Sequence, residues 1–157
     1  MDLGAAPGGW LQATREIVGV DGFVLGVDLL EIEPLRDDNV LTITGDISNC
    51  ETLSLIRNVL PSPVEVLISD VSPKVSGVWE IDHACQIDLA RRSLFFALEL
   101  VRTGGNFFVK AFQGEMFKDF VKEVSKHFCR VEIVKPKASR PESAEIFVLG
   151  FDLKGKE

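Results

Sequence analysis

The chain has 157 residues and a formal net charge of −7, from 17 basic and 24 acidic side chains. With 46% hydrophobic and 26% charged residues, it has the composition of a globular protein and not of a disordered one. No apolar run reaches the roughly 20 residues that a membrane span requires. The only cysteines, Cys50, Cys85 and Cys129, are widely spaced, which argues against a disulfide scaffold or a zinc site. We therefore expect one domain over 1–157, in the cytoplasm, with neither a metal nor a membrane partner.

The negative charge is unevenly distributed. Residues 1–70 carry 12 acidic side chains, three arginines and no lysine, whereas residues 71–157 carry 14 basic and 12 acidic side chains. Seven basic residues lie between 118 and 140: Lys118, Lys122, Lys126, Arg130, Lys135, Lys137 and Arg140. Lys118, Lys122 and Lys126 recur every four residues, which predicts that they share one face of a helix. That face is either simply solvated or part of a phosphate-binding surface.

Short β-rich runs alternate with helical stretches along the chain. After a strand stub at 1–3, the pattern predicts strands at 23–27, 40–43, 64–69, 106–109, 131–134 and 145–149. Helices are predicted at about 9–19, 49–59, 84–102 and 114–128, the third ended by Thr103-Gly104-Gly105 and burying Cys85. Strands of nearly continuous apolar residues indicate a mostly parallel α/β sheet covered on both faces.

A glycine-rich segment, DLGAAPGGW at residues 2–10, separates the strand stub from the first helix. Its spacing matches neither the dinucleotide fingerprint nor a P-loop. With Asp2 at its head, the segment suits a ligand less anionic than a pyrophosphate. S-adenosylmethionine is such a ligand, because it carries an amino group and a sulfonium that a carboxylate can face. A tight turn without a ligand is the alternative.

Three aspartates follow predicted strands, at positions 28, 46 and 70. Ligands of open α/β sheets bind outside the carboxyl ends of the strands. We expect Asp28 to accept the two hydroxyls of a ribose, and Asp46 an adenine amino group. Helix capping is the alternative for each of the three acids.

Several motifs then occur in an order that resembles the FtsJ/RrmJ family of ribosomal RNA 2′-O-ribose methyltransferases. After the glycine-rich segment these are VDLL (27–30), GDI (45–47), SDVSPKVSG (69–77), GGNFFVKAFQGE (104–115) and KPKASRPESAEIF (135–147). The resemblance covers most of the chain, from Asp2 to about Phe151. It implies a Rossmann-like, seven-stranded sheet with an antiparallel last strand, and S-adenosylmethionine as the methyl donor.

The resemblance also implies roles for particular residues. By motif matching, the cofactor-binding positions are Gly8, Trp10, Asp28, Asp46 and Asp70, and three members of a Lys-Asp-Lys-Glu catalytic tetrad are Asp70, Lys110 and Glu145. The first lysine of that tetrad lies upstream of the glycine-rich loop in the family. We therefore expect that an N-terminal segment precedes the residues printed here, and that the first strand is cut short.

The function implied is methylation of a ribose 2′-hydroxyl, that of a uridine, in large-subunit ribosomal RNA. Lys110 would either take the hydroxyl proton or stabilise the alkoxide, whereas a lysine that only extends to solvent is the structural alternative. Three other functions stay open: a transfer RNA methyltransferase, a non-catalytic RNA-binding module of ribosome assembly, and a small-molecule methyltransferase.

Overall fold

The computed structural model of the protein describes residues 1–33, 35, 37–136, 140 and 143–155. Strands and helices alternate along the chain, as the hydrophobic pattern predicts. The strands are β1 (Asp2–Leu3), β2 (Val24–Asp28), β3 (Val40–Thr44), β4 (Val64–Ser69), β5 (Val101–Phe112), β6 (Phe128–Val134) and β7 (Glu145–Leu153). The helices are α1 (Gly9–Val18), α2 (Cys50–Val59), α3 (Trp79–Leu100) and α4 (Phe117–His127).

The described strands form one seven-stranded sheet in the order β3-β2-β1-β4-β5-β7-β6. The first five strands in this order run parallel, and β7 is antiparallel to both β5 and β6. The predicted α/β fold with an antiparallel last strand is confirmed. Strand β1 lies between β2 and β4, with β2 and β3 on one side of it and β4 to β7 on the other. The strand order therefore reverses at β1, and ligands of such sheets bind at the point of reversal.

The long helix α3 covers one face of the sheet. Its buried side chains include Ile87, Ala90 and Ala97, each with no exposed surface, and they belong to the same apolar cluster as Phe107 and Val109 of β5. This contact orients α3 so that its first turn lies at the carboxyl edge of the strands. Within the described ranges, no helix combines the length and the apolar composition needed to cross a membrane.

Helix α3 differs from its prediction at both ends. It begins at Trp79 and not at 84, because Glu80 and Asp82 place negative charge in its first turn, where the helix dipole favours it. It ends at Leu100, so that Thr103-Gly104-Gly105 lies in β5 and does not end the helix. There the pairing of β4 with β5 shifts register between Val64 and Val66, and Gly104 takes a φ of 76°.

Strand β5 also extends further than predicted, to Phe112, because β7 pairs with its last residues. Helix α4 begins at Phe117, three residues later than expected. Cys85 was expected in the core, but it is exposed, since its position on α3 faces away from the sheet.

Candidate functional site

The glycine-rich loop lies between two of the strand-end aspartates. Leu3 of β1 pairs with Val27 of β2 and with Ser69 of β4. Asp28 and Asp70 each follow those partners by one residue, so they flank the loop on either side. Neighbouring strands are about 4.8 Å apart, which separates the two aspartates by roughly 10 Å across the edge.

Backbone geometry explains the glycines of this loop. Gly4 has a φ of 79°, and its N–H donates to the carbonyl of Val27 at 2.8 Å. A Cβ at Gly4 would lie 2.8 Å from the backbone nitrogen of Val71, so no larger residue fits there. Gly8 has a φ of 123° and precedes α1, whose first turn has no side-chain cap. Uncapped N–H groups at a helix start remain available to a ligand.

The carboxylates of Asp28 and Asp46 are oriented by backbone N–H groups. Asp28 accepts from Ala6 at 2.9 Å with one oxygen and from Leu30 at 2.9 Å with the other. Asp46, which is exposed, accepts from the N–H of Ser48 at 2.7 Å. A carboxylate has about four acceptor positions, so both groups keep capacity for a ligand's hydroxyl or amino group.

Asp2 is fully buried, and neither of its carboxylate oxygens has a hydrogen-bond partner. Its pKa is raised to about 7, mainly by burial and in smaller part by the nearby charges of Asp70 and Asp28, against the opposing effect of the Met1 ammonium. An unpartnered buried carboxylate is costly in a folded protein. This group lies under the glycine-rich loop, between the strands that carry the flanking aspartates.

Lys110 is buried, with 7% of its side chain exposed, and it brings together the three predicted catalytic residues. Its Nζ lies 3.0 Å from Oδ1 of Asp70 and donates to the Asp70 carbonyl at 3.1 Å. It also lies 3.9 Å from Oε1 of Glu145, whose side chain is 47% exposed. The carboxylate of Glu145 therefore faces solvent at the point where Lys110 is buried.

One residue of this cluster, Gln86 of α3, was missed by the sequence analysis. Its side chain is fully buried, and its Nε2 donates to the carbonyls of Val71 at 3.0 Å and Lys110 at 3.1 Å. It thereby joins the segment after Asp70 to the strand of Lys110. A polar residue on the apolar face of a predicted helix was the only signal for it.

Trp10 is the predicted cofactor residue whose ring the structure does not bring to the carboxylates. The ring packs on Phe108 and Phe147, with centroids 5.6 and 6.1 Å away. It lines an apolar cavity of about 480 Å³ between α1 and the sheet, with Ile17 and Phe151. Because the side chain of Trp10 points at the sheet, only the backbone of Trp10 lies beside Gly8.

The three lysines predicted to share a helix face do lie exposed on α4. The charge of Lys122 is paired with Asp119, at 2.9 Å. Lys137, from the same basic stretch, lies outside the described residues. No group of three or more His, Cys, Asp or Glu side chains within the described part of the chain is placed to hold a metal ion.

The sequence model of FtsJ-like methyltransferases matches residues 1–153. The chain belongs to the FtsJ-like methyltransferase family. It is 48% identical, over all 157 residues, to the ribosomal RNA large subunit methyltransferase E of Methanococcus aeolicus, of which it covers 58%. It is 53% identical, over 96% of its length, to the protein of the same name from Methanothrix thermoacetophila, of which it covers 57%. This FtsJ-like chain thus spans somewhat more than half the length of these relatives.

A solved structure described as a ribosomal RNA methyltransferase of Plasmodium falciparum shares the fold of this FtsJ-like chain. The two superpose with a TM-score of 0.87 at 22% identity, over 99% of this chain and 86% of the other. At this identity the likeness supports the fold.

S-adenosylmethionine is the methyl donor that the FtsJ-like family implies, and the residues present fit it. The carboxylates of Asp28, Asp46 and Asp70, around the unpartnered and buried carboxyl group of Asp2, provide a negative site for a ligand with a cationic amino group and a sulfonium. The loop at Gly4 and Gly8, where a side chain is strained or excluded, lets the backbone approach such a ligand.

Proposed function

We propose that this chain catalyses methylation of a ribose 2′-hydroxyl, that of a uridine, in large-subunit ribosomal RNA, with S-adenosylmethionine as donor. The observation that carries the proposal is the contact of Lys110 with Asp70, beside the loop that would hold the donor. The proposed donor site and the buried lysine would thus meet beside the end of β4.

The acidic residues would hold the donor. Asp28 would accept from the ribose hydroxyls and Asp46 from the adenine amino group, while Gly8 and the first turn of α1 would lie against the methionine part. When bound, S-adenosylmethionine supplies an electrophilic methyl group on a sulfonium, which leaves as a neutral thioether. The enzyme must therefore align the attacking oxygen and manage its proton.

Lys110 and Glu145 are suited to those two tasks. Two N–H groups of the Lys110 ammonium are taken by the carboxylate and the carbonyl of Asp70. The third can donate to the 2′-oxygen and stabilise the negative charge that develops on it. Glu145, whose Oε1 lies 3.9 Å from Nζ and whose side chain is half-exposed, would accept the hydroxyl proton. Burial of Lys110 strengthens its interaction with Asp70.

The names of the relatives support ribosomal RNA as the substrate class. An acidic protein needs local positive charge to hold RNA. Lys74, in the segment after β4, and Lys118, in the first turn of α4, are exposed on elements that leave the carboxyl edge. Lys126, at the other end of α4, is remote from that edge. The helix face formed by Lys118, Lys122 and Lys126 therefore does not point into the site as a whole.

The test is methyl transfer from labelled S-adenosylmethionine to unmodified large-subunit ribosomal RNA, with transfer RNA as the competing substrate. The product is then hydrolysed in alkali, because a 2′-O-methyl group blocks cleavage at its own linkage. We expect label in an alkali-resistant dinucleotide that contains uridine. Lys110→Ala should abolish it, whereas Lys154→Ala, which removes an exposed lysine far from the site, should not.

Each other outcome changes the conclusion in a defined way. Label in transfer RNA alone would move the substrate to that class. Label in alkali-labile mononucleotides would place the methyl group on a base and refute ribose methylation. Binding of ribosomal RNA without transfer, both by this chain and by a version extended at its N-terminus, would favour a non-catalytic module.

A further inference from the structure

Trp79 is an exposed aromatic residue that the proposed chemistry does not use. It is the first residue of α3, and 46% of it is exposed. Its ring stacks on two others, that of His83 at 5.6 Å between centroids and that of Phe112 at 6.0 Å, both within 20° of parallel. A large ring packed on other rings and still half open to solvent offers surface to a further flat group.

The stack lies next to the proposed reaction centre. Phe112 follows Lys110 by two residues on β5, so both side chains leave the same face of the sheet, about 7 Å apart along the strand. Phe112 also pairs in register with Glu145. The ring of Trp79 therefore covers Phe112, which is next to Glu145 across the strands and two residues from Lys110.

The backbone before Trp79 is fixed by a buried carboxylate. Asp82 accepts from the N–H and the hydroxyl of Ser76, both at 2.7 Å, and from the N–H of Gly77 at 3.1 Å. These hydrogen bonds lower the pKa of Asp82, so it is charged at neutral pH. The turn that leads into Trp79 is thus held in one conformation, which keeps the Trp79 ring at the edge of the sheet.

The ring beneath Trp79 is fixed as well. His83 is buried, and its Nε2 accepts from the N–H of Met116 at 3.1 Å. Gly114 allows this approach, because a Cβ there would lie 2.7 Å from the imidazole. A platform held on both sides loses little conformational entropy when a ligand stacks on it.

We infer that Trp79 is a nucleobase-stacking site, which holds the unpaired base of the nucleotide whose 2′-hydroxyl meets Lys110. This inference rests on the proposed function and adds a specific binding residue to it. Proteins that recognise single-stranded RNA stack its bases on aromatic side chains. Stacking is tolerant of base identity, so the site would position the target nucleotide without selecting uridine.

The experiment compares steady-state kinetics of Trp79→Ala, Trp79→Leu and Trp79→Phe on an unmodified large-subunit ribosomal RNA transcript. Loss of one base stack should raise the KM for RNA roughly 10-fold in the Ala and Leu variants. The KM for S-adenosylmethionine should be unchanged, and Phe should restore most of the RNA affinity. Phe95→Ala is the matched control, because Phe95 is an equally exposed aromatic residue of α3 outside the site.

A direct readout is the fluorescence of Trp79, taken as the difference between wild type and Trp79→Phe, since Trp10 is the only other tryptophan. We expect RNA to quench this difference signal. A wild-type KM for RNA in Trp79→Leu would mean that the ring serves packing only, and would overturn the inference while methyl transfer stands. Absence of both transfer and quenching in the wild type would refute the proposed function and the inference together.

Discussion

The two halves of the carboxyl edge are built in different ways. In the acidic half, at the ends of β2 and β3, the carboxylates of Asp28 and Asp46 accept from backbone N–H groups. These belong to residues two positions further along the chain and, for Asp28, also to Ala6 of the glycine-rich loop. In the lysine half, at the ends of β4 and β5 and the start of β7, Lys110 contacts Asp70, 40 residues before it, and Glu145, 35 residues after it.

Under the proposed function, this difference would separate cofactor binding from chemistry. Backbone N–H groups orient the carboxylates of the acidic half and leave acceptor capacity unused, which suits a cationic ligand. In the lysine half, carboxylates that follow or begin other strands lie beside Lys110 and offset part of the cost of burying its charge. The predictions below test whether each half does only its own task.

The largest expected effect is that of Lys110→Ala on the lysine half. Loss of the group proposed to stabilise the attacking oxygen should lower kcat by at least about 100-fold. Affinity for S-adenosylmethionine, measured by calorimetry, should stay within about threefold of wild type. A matching loss of cofactor affinity would show that the two halves are one unit.

Asp2→Asn should make the protein more stable at pH 6. The folded-state pKa of Asp2 is raised to about 7, so its stabilising contribution is present at low pH and is lost as pH rises. Between pH 4 and pH 6 the wild type should lose about 2–3 kcal/mol relative to Asp2→Asn, in which the side chain stays neutral. Urea unfolding at both pH values measures this. Parallel pH profiles for the two proteins would contradict the assignment of an unpartnered buried carboxyl group.

Asp28→Ala should weaken S-adenosylmethionine binding by roughly 10-fold, through the loss of hydrogen bonds to a charged acceptor. The kcat at saturating cofactor should change little, because Asp28 lies in the acidic half. Asp21→Ala, an exposed aspartate outside the edge, is the control. A reduced kcat with unchanged cofactor affinity would show that Asp28 acts in the chemistry and not in cofactor binding.

The smallest effect concerns Gln86, which joins the two strand ends of the lysine half. Gln86→Met should cost about 1 kcal/mol, because two carbonyls lose a donor while the unpartnered Oε1 is removed. It should also lower kcat severalfold at unchanged cofactor affinity. Ser93→Ala, which removes another buried hydrogen bond of α3, should cost similar stability but leave kcat unchanged. Equal kcat values for the two variants would show that Gln86 contributes to stability only and does not position the catalytic residues.

Much of the acidic half could be predicted from the sequence. A strand followed by an aspartate and a glycine-rich turn are local patterns, and in parallel sheets the strand ends meet at one edge by construction. The motif resemblance added Lys110 and Glu145, which no local pattern joins. The contacts of Gln86 and the stack of Trp79 on Phe112 could not be predicted, because they depend on how α3 is placed against β5.

The family resemblance implied the antiparallel last strand. The sequence by itself determined the order of elements, the mostly parallel sheet, and which acids end which strands. These follow from hydrophobic periodicity and turn residues, which act over a few positions. Only the tertiary structure decided that α3 begins at Trp79, that the ring of Trp10 turns to the sheet and that Asp2 has no partner. Burial and pairing at these positions come from residues far apart in the chain, and no local pattern encodes such contacts.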